Sequence, residues 1–315
     1  MASVLTFGET MGLIRGDDLG GWETVSRARV GIGGADSNVA IGLRRLGVDV
    51  TWIGRVGDDA LGRRIEREIR GEGVCTRAIV DGTRATGLML KERRTPAHSR
   101  VTFYRGGSAG SALAPSDVGD DEIAAASVVL VNGVTASLSD SARAAALSVV
   151  ARARANGVTV AFDVNHRPSL WAGRDPRALY LDLARASDLV FAGDDEARLL
   201  LGNDERDALA LSAELLALGP SQVVVKSGAA GALAREGETV ATSPAVRIDP
   251  VDTVGAGDAF VAGYLAALLD GSPLAERVSL GVRCGAFACL GPGDWESLPR
   301  RADLALLGGA DPVER

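Results

Sequence analysis

SVVLVNGVTASLSDSARAAALSVVARARANGVTVAFDV, residues 127–164, decides the architecture. Two apolar runs, Ser127–Val131 and Val158–Val164, bracket the alanine-rich segment Asp140–Asn156, which reads as an amphipathic helix. A strand that is apolar throughout is buried on both faces, and such strands alternating with helices make a parallel sheet. The pattern continues downstream, where Asp188–Ala192 (DLVFA) and Gln222–Lys226 (QVVVK) are further runs and Asp204–Leu218 is helix-like. The alternation predicts an α/β fold with a doubly wound, mostly parallel sheet covered by helices on both faces. Each run ends in a polar or glycine-containing turn: Asn132-Gly133, Asn165-His166-Arg167, Gly193-Asp194 and Ser227-Gly228. Ligands of open α/β sheets bind outside the carboxyl ends of the strands, so these four turns locate the site.

The N-terminal part reads differently. Val4–Gly8 and Asp49–Ile53 are core strands with the helix Ser37–Leu46 between them. Thr86–Leu90 and Arg100–Arg105 alternate instead, and the polar, proline-containing loop Glu92–Ser99 joins them as an antiparallel hairpin. With Leu13–Ile32 they make a small β-flap over the strand ends. The chain thus divides into a core of residues 1–12, 36–83 and 108–315 and a lid of residues 13–35 and 84–107. Period-two alternation sets Val101, Phe103 and Arg105 on one lid face and Thr102 and Tyr104 on the other. An arginine on an apolar face wants an anion, although a salt-bridged surface arginine would read the same way.

Composition narrows the partners. The 315 residues carry 34 basic and 41 acidic side chains, a net charge of -7, which argues against a nucleic-acid or membrane-surface binder. Apolar residues at 46% leave material for a sizeable core. Glycine is abundant, 40 residues or about 13% against a usual ~7%, which fits tight turns and close backbone approach to a ligand. Cys75, Cys284 and Cys289 lack metal-ligand spacing and fit a reducing cytoplasm. The start, MASVLTFGE, has no basic stretch leading into a long apolar one, so no signal peptide is expected. Only two of the 34 basic residues are lysines, Lys91 and Lys226.

The chemistry sits in Asp252–Leu269, DTVGAGDAFVAGYLAALL. Gly255 to Gly257 permit a tight turn, and the apolar positions from Ala259 onward have helical spacing. The N–H groups of Gly255, Ala256, Gly257 and Asp258 therefore face outward at a helix N-terminus, which attracts phosphate. A carboxylate beside phosphate costs electrostatic energy unless it has a task. Accepting the proton of an attacking hydroxyl is such a task, with Asp258 as base and the N–H cluster stabilising the transferring group. General-base help is ~10²–10⁴-fold where enzymes supply at least ~10⁶-fold, so positioning and the anion hole share the work. An aspartate that merely caps a glycine-rich helix start fits the same spacing.

DTVGAGDAF strongly resembles the C-terminal signature of the ribokinase-like (PfkB) carbohydrate kinases. Gly33-Gly34, followed by Ala35 to Asn38 and a helix ending at Leu46-Gly47, resembles that family's N-terminal signature. Within the family, Phe103–Pro115 (FYRGGSAGSALAP) and Asn165–Trp171 (NHRPSLW) look most like 2-keto-3-deoxygluconate kinases. The resemblance implies a ribokinase-like fold and ATP-dependent phosphorylation of a small sugar acid at a primary hydroxyl, with Mg2+ bridging the phosphates. It implies that Gly34 and Asn38 bind sugar hydroxyls, that Phe103 and Arg105 cover the sugar, and that Arg167 holds its carboxylate or the moving phosphate. Asp294 would contact the sugar, and Asn165, Lys226, Ser227, Gly228, Gly231, Gly255 and Gly257 would line the nucleotide site. Flap-to-flap homodimers are common in the family, and one is expected here.

Phe103 and Met89 stand where these acid-sugar kinases often carry tyrosines. Gly193 replaces the first residue of the family's Asn-x-x-Glu motif while Glu196 keeps the last, either to place magnesium through water or as a helix-start carboxylate. A fructokinase or other neutral-sugar kinase of the same family is the alternative. A catalytically silent sugar- or nucleotide-binding regulator is the alternative from another class, disfavoured by the intact GAGD turn.

Other motifs fall away. Gly106–Gly110 (GGSAG) matches a hydrolase elbow, but that elbow needs a helix immediately after the serine, and Pro115 is close by. Gly31–Asp36 (GIGGAD) mimics a dinucleotide fingerprint but puts an aspartate where a small residue is required. No Gly-Lys dipeptide exists, which excludes a Walker loop. His98 reads as a solvated lid residue, His166 as a structural neighbour of Asn165, and Trp52, Trp171 and Trp295 as core or rim packing.

Overall fold

A computed structural model describes residues 3–95, 98–204 and 207–308 of the chain. Its strands are β1 (Ser3–Phe7), β2 (Met11–Leu19), β3 (Ala28–Gly33), β4 (Asp49–Gly57), β5 (Cys75–Asp81), β6 (Leu88–Thr95) and β7 (His98–Tyr104). They continue as β8 (Val128–Asn132), β9 (Thr159–Asp163), β10 (Leu189–Gly193), β11 (Gln222–Lys226), β12 (Ala232–Glu236) and β13 (Thr239–Ser243). The main sheet runs β13-β12-β11-β10-β9-β8-β1-β4-β5 and is parallel except for the antiparallel pairings of β12 with β11 and with β13.

The apolar runs are explained by two cores. Val4, Trp52, Leu130, Phe191 and Val224 face the helices Ala35–Arg45, Ala256–Leu269 and Leu274–Ala288. Leu5, Ile53, Val129, Phe162, Val190 and Val223 face the helices Asp140–Ala155, Arg177–Arg185, Asp194–Leu201 and Ala208–Leu216. Alternate side chains of one strand enter opposite cores, so the runs are apolar on both faces, with Asn132 and Asp163 as polar residues at the carboxyl ends of β8 and β9. The predicted helix Asp204–Leu218 is shorter, Ala208–Leu216, because the Asp207 carboxylate accepts the Leu209 N–H and caps it there.

After β1 the chain builds outward to β4 and β5, and from β8 it builds the other way to β11. The strand order reverses between β1 and β8, which opens a crevice at their carboxyl ends. A separate sheet, β3-β2-β6-β7, reaches the main body through Lys91 on Asp252 and, just after β7, through Arg105 on Glu9, which lies just after β1. It contains the expected hairpin, but β6 runs to Thr95 and β7 starts at His98, so the loop placed at Glu92–Ser99 is mostly strand. Pro96 falls outside the described residues. Glu92 is held in the sheet by its own partners: its Oε2 accepts the Trp22 N–H at 2.9 Å and its Oε1 lies 3.7 Å from Arg94 Nε. The lid sheet already begins at Met11, two residues inside the segment assigned to the core, while Ala35 opens a core helix.

Candidate active site

The turn before the helix Ala256–Leu269 is built on Gly255, whose φ of 79° is left-handed. A Cβ there would lie 2.2 Å from the Asp294 carbonyl oxygen, so only glycine fits beneath that loop. First-turn N–H groups have no partner within a helix. The Ala256 N–H bonds the Thr253 carbonyl at 3.3 Å, and those of Gly257 and Asp258 have no partner among the described residues. The cradle is thus narrower than four N–H groups, because Ala256 closes the turn. In front of it is room: a Cβ on Gly257 would meet no atom within 4 Å.

Asp258 is buried at this helix start. Asn38 Nδ2 donates to its Oδ2 at 2.8 Å, and Asn165 Nδ2 donates to its Oδ1 at 3.3 Å. Burial pushes the Asp258 carboxyl up to about 7, assisted by the charge of Asp163 and opposed by the Asn38 hydrogen bond and by Arg167 and Lys226. A carboxyl with that value is half ionised at neutral pH. It is held by two amides, from the helix after β3 and from the end of β9, and one of these reaches 220 positions along the chain. It is therefore more than a helix cap.

Residues 1–301 match the pfkB family carbohydrate kinase. The chain belongs to the pfkB family of carbohydrate kinases. It is similar to the 2-dehydro-3-deoxygluconokinase of Bacillus subtilis (strain 168), at 36% identity over 305 residues, 96% of this chain and 94% of that protein. Its structure resembles the PfkB protein from Polaromonas sp. JS666, with a TM-score of 0.87 and 35% identity over 97% of this chain and 99% of that one. A putative ribokinase II from E. coli in complex with ATP and Mg2+ shares the fold, with a TM-score of 0.90 and 22% identity over 98% and 99% of the two chains.

The other expected residues are found in varied states. Gly34 begins the helix that carries Asn38, and a Cβ on it would lie 2.4 Å from the Glu9 carbonyl oxygen. Asn38 Oδ1 is buried without a partner, an acceptor left over after Nδ2 donates to Asp258. Arg105 does find an anion, and it is Glu9: Nη2 and Nε stand 2.6 and 2.7 Å from Oε2 of that fully buried carboxylate. Its guanidinium also lies 5.6 Å from the centre of the Phe103 ring, so the two share a face as the alternation requires. Arg167 is exposed, bonded through Nη1 to the His166 carbonyl at 3.1 Å. Lys226 Nζ donates to Asp163 Oδ1 at 2.7 Å. Burial alone lowers the Lys226 pKa, but Asp163 and Glu196 outweigh it and hold it above its ordinary value. Ser227 Oγ donates to Asp194 Oδ1 at 2.8 Å, and the Ser227 N–H bonds the Gly231 carbonyl at 2.8 Å, closing the Ser227–Gly231 turn around Gly228.

Glu196 caps its helix: Oε2 accepts the Gly193 N–H and Oε1 the His166 N–H, both at 2.7 Å. Ser108, the nucleophile of the discarded elbow, donates to Glu9 instead. His166 packs on Tyr180 and Trp52 lies in the core, as expected.

Sequence reasoning missed four charged residues. Glu9 anchors Arg105, and Asp163 anchors Lys226; an acid inside the apolar run VTVAFDV was the visible signal for the latter. Asp36 accepts from Thr135 Oγ1 at 2.8 Å across the point where the strand order reverses, while its Oδ1 is unpartnered. Burial raises its carboxyl to about 8. Lys91 is buried, with Nζ 2.6 Å from Asp252 Oδ2 and 3.5 Å from Asp294 Oδ1.

Proposed function

We propose that this pfkB kinase transfers the γ-phosphoryl group of ATP to a primary hydroxyl of 2-keto-3-deoxygluconate or a close sugar-acid analogue. The observation that carries the reading is the buried Asp258 carboxylate beside two unpartnered N–H groups, held by Asn38 and Asn165. With the sugar's hydroxyl at Asp258, the carboxylate takes the proton while the oxygen bonds to phosphorus. The bond from phosphorus to the bridging oxygen breaks, and ADP leaves. The Gly257 and Asp258 N–H groups stabilise charge on the transferring oxygens. Lys226, kept ionised by Asp163, supplies a cation to the nucleotide phosphates.

Magnesium, when bound with the nucleotide, neutralises phosphate charge. Among the described residues no group of three or more His, Cys, Asp or Glu side chains could cage a metal ion, so the ion would be held largely by the substrate phosphates, with at most one or two side chains. The sugar-acid reading rests on the exposed Arg167, whose charge acts on Asp258, in a protein with net charge -7, and on the gluconokinase relative; Arg105 is already neutralised by Glu9. Two unbridged buried thiols, Cys284 and Cys289, support a reducing cytoplasmic setting. Exposed Leu19, Val30 and Tyr104 on the lid support a lid-to-lid homodimer.

The test is ADP release measured over a panel of sugar acids and neutral sugars. Highest kcat/KM on 2-keto-3-deoxy acids is expected; a preference for fructose or another neutral sugar would overturn the acid assignment. Silence on every sugar would overturn the catalytic reading itself.

A further inference from the structure

Both lysines of the chain are paired with buried aspartates, and only Lys226 has a place in the chemistry above. Lys91 belongs to lid strand β6, yet its ammonium lies among residues of the phosphate turn. Asp252 opens that turn: its Oδ1 accepts the Val254 N–H at 3.2 Å and its Oδ2 the Gly293 N–H at 3.4 Å. Asp294 closes it from above, since its carbonyl is the atom that forbids a side chain on Gly255. The Lys91 side chain is 3% exposed, and those of Asp252 and Asp294 are 8% exposed. Two carboxylates this buried, a few ångströms from a site for phosphate, repel each other and the phosphate unless a cation stands between them.

We infer that Lys91 is a positioning residue: the lid-borne ammonium holds Asp252 and Asp294 together and so sets the shape of the Gly255–Asp258 cradle. The inference rests on the phosphoryl-transfer reading of that cradle. Its second consequence is coupling. On β6, Met89 and Lys91 share a face by period two, and Met89 pairs across from Phe103, the expected sugar cover. A Cβ on Gly33 would touch both the Met89 methyl, at 2.4 Å, and Asp294 Oδ2, at 2.3 Å. The strand that covers the sugar therefore also grips the turn that binds the phosphate. Sugar seated under the lid and phosphate seated in the cradle are two ends of one contact.

A cleft of about 100 Å³, lined in part by Arg15, Asp17, Lys91 and Asp252, opens beside the pair and offers a small cation a way in. The experiment uses the full-length Lys91→Ala enzyme with saturating ATP and sugar. A cradle displaced by about an ångström predicts a loss of ~100-fold in kcat, with the KM values changed far less. Methylammonium restores turnover saturably, and tetramethylammonium, too large for the gap, at equal ionic strength does not. Turnover near that of the unaltered enzyme, a loss confined to KM, or recovery with both ions or with neither overturns the inference. Should Lys91→Ala fail to fold, Lys91→Met/Asp252→Asn removes opposite charges together, and the same drop in kcat is expected of it; normal turnover would again refute the role. Asp258→Asn run alongside separates the two ideas. If it keeps its turnover, the reading of the cradle fails; if it is inactive while the Lys91 variants are active, only the positioning role fails.

Discussion

Replacing Asn38 by leucine tests the acid-base assignment more sharply than removing the base. Asn38 Nδ2 donates to Asp258 Oδ2 at 2.8 Å in a buried site, and that bond favours the ionised carboxylate. Leucine is close in size, cannot donate, and keeps out the water that would replace the amide in an alanine variant. A hydrogen bond to a charged group is worth about 1.5–3 kcal/mol, and each pKa unit corresponds to about 1.4 kcal/mol. Asn165 retains its 3.3 Å contact with the other oxygen, so the lower end applies, a rise of about one unit. The carboxyl starts at about 7 and a base acts only when deprotonated, so kcat/KM falls as pH drops below that value. In Asn38→Leu the fall begins about one unit higher, near pH 8. Any lost contact to the sugar lowers the whole profile without moving its limb. Initial rates of ADP release between roughly pH 5.5 and 9.5, expressed as kcat/KM for the sugar, read the position directly. An unmoved limb, a limb moved to lower pH, or no acid limb in the unaltered enzyme would refute Asp258 as the base.

Asp258→Asn keeps the size of the side chain and should lose ~10²–10⁴-fold in kcat while still binding nucleotide by calorimetry; near-normal turnover would exclude Asp258 as the base. Gly255→Ala places a Cβ on a left-handed residue against the Asp294 carbonyl. It should cost at least about 1–2 kcal/mol in denaturant unfolding and most of the activity, and an active variant of unchanged stability would contradict the turn geometry. Arg105→Ala strands the Glu9 carboxylate, so about 3–5 kcal/mol of stability should disappear. Exposed Arg167→Ala should shift stability by less than about 0.5 kcal/mol and act on KM instead. Equal stabilities of the two variants would show that the Glu9 pair contributes nothing.

Much of the site was legible because its parts are local. The glycines and aspartate of DTVGAGD are consecutive, and a helix start exposes its N–H groups wherever it sits. The doubly wound sheet was legible for a similar reason, since continuous apolar runs separated by helices have few other ways to be buried. The lid hairpin was legible in existence but not in length. Partners such as the Trp22 N–H, which Glu92 accepts, are invisible until the fold is known. Arg105 shows the same limit: alternation put it beside Phe103 and demanded an anion, but a chain offers 41 acidic candidates and no distances.

The residue order alone determined the layers of this protein and the glycine turn with its aspartate, and it pointed to the carboxyl ends of the strands. Only tertiary structure decided which charges meet: Asn38 with Asp258, Lys226 with Asp163, Arg105 with Glu9, and Lys91 with Asp252 and Asp294. The reason is physical. Hydrophobic periodicity and turn chemistry act over a few neighbouring residues, whereas the strength of an ion pair and the pKa of a carboxyl depend on separation and burial. Those quantities come into being when distant segments close over one another and exclude water.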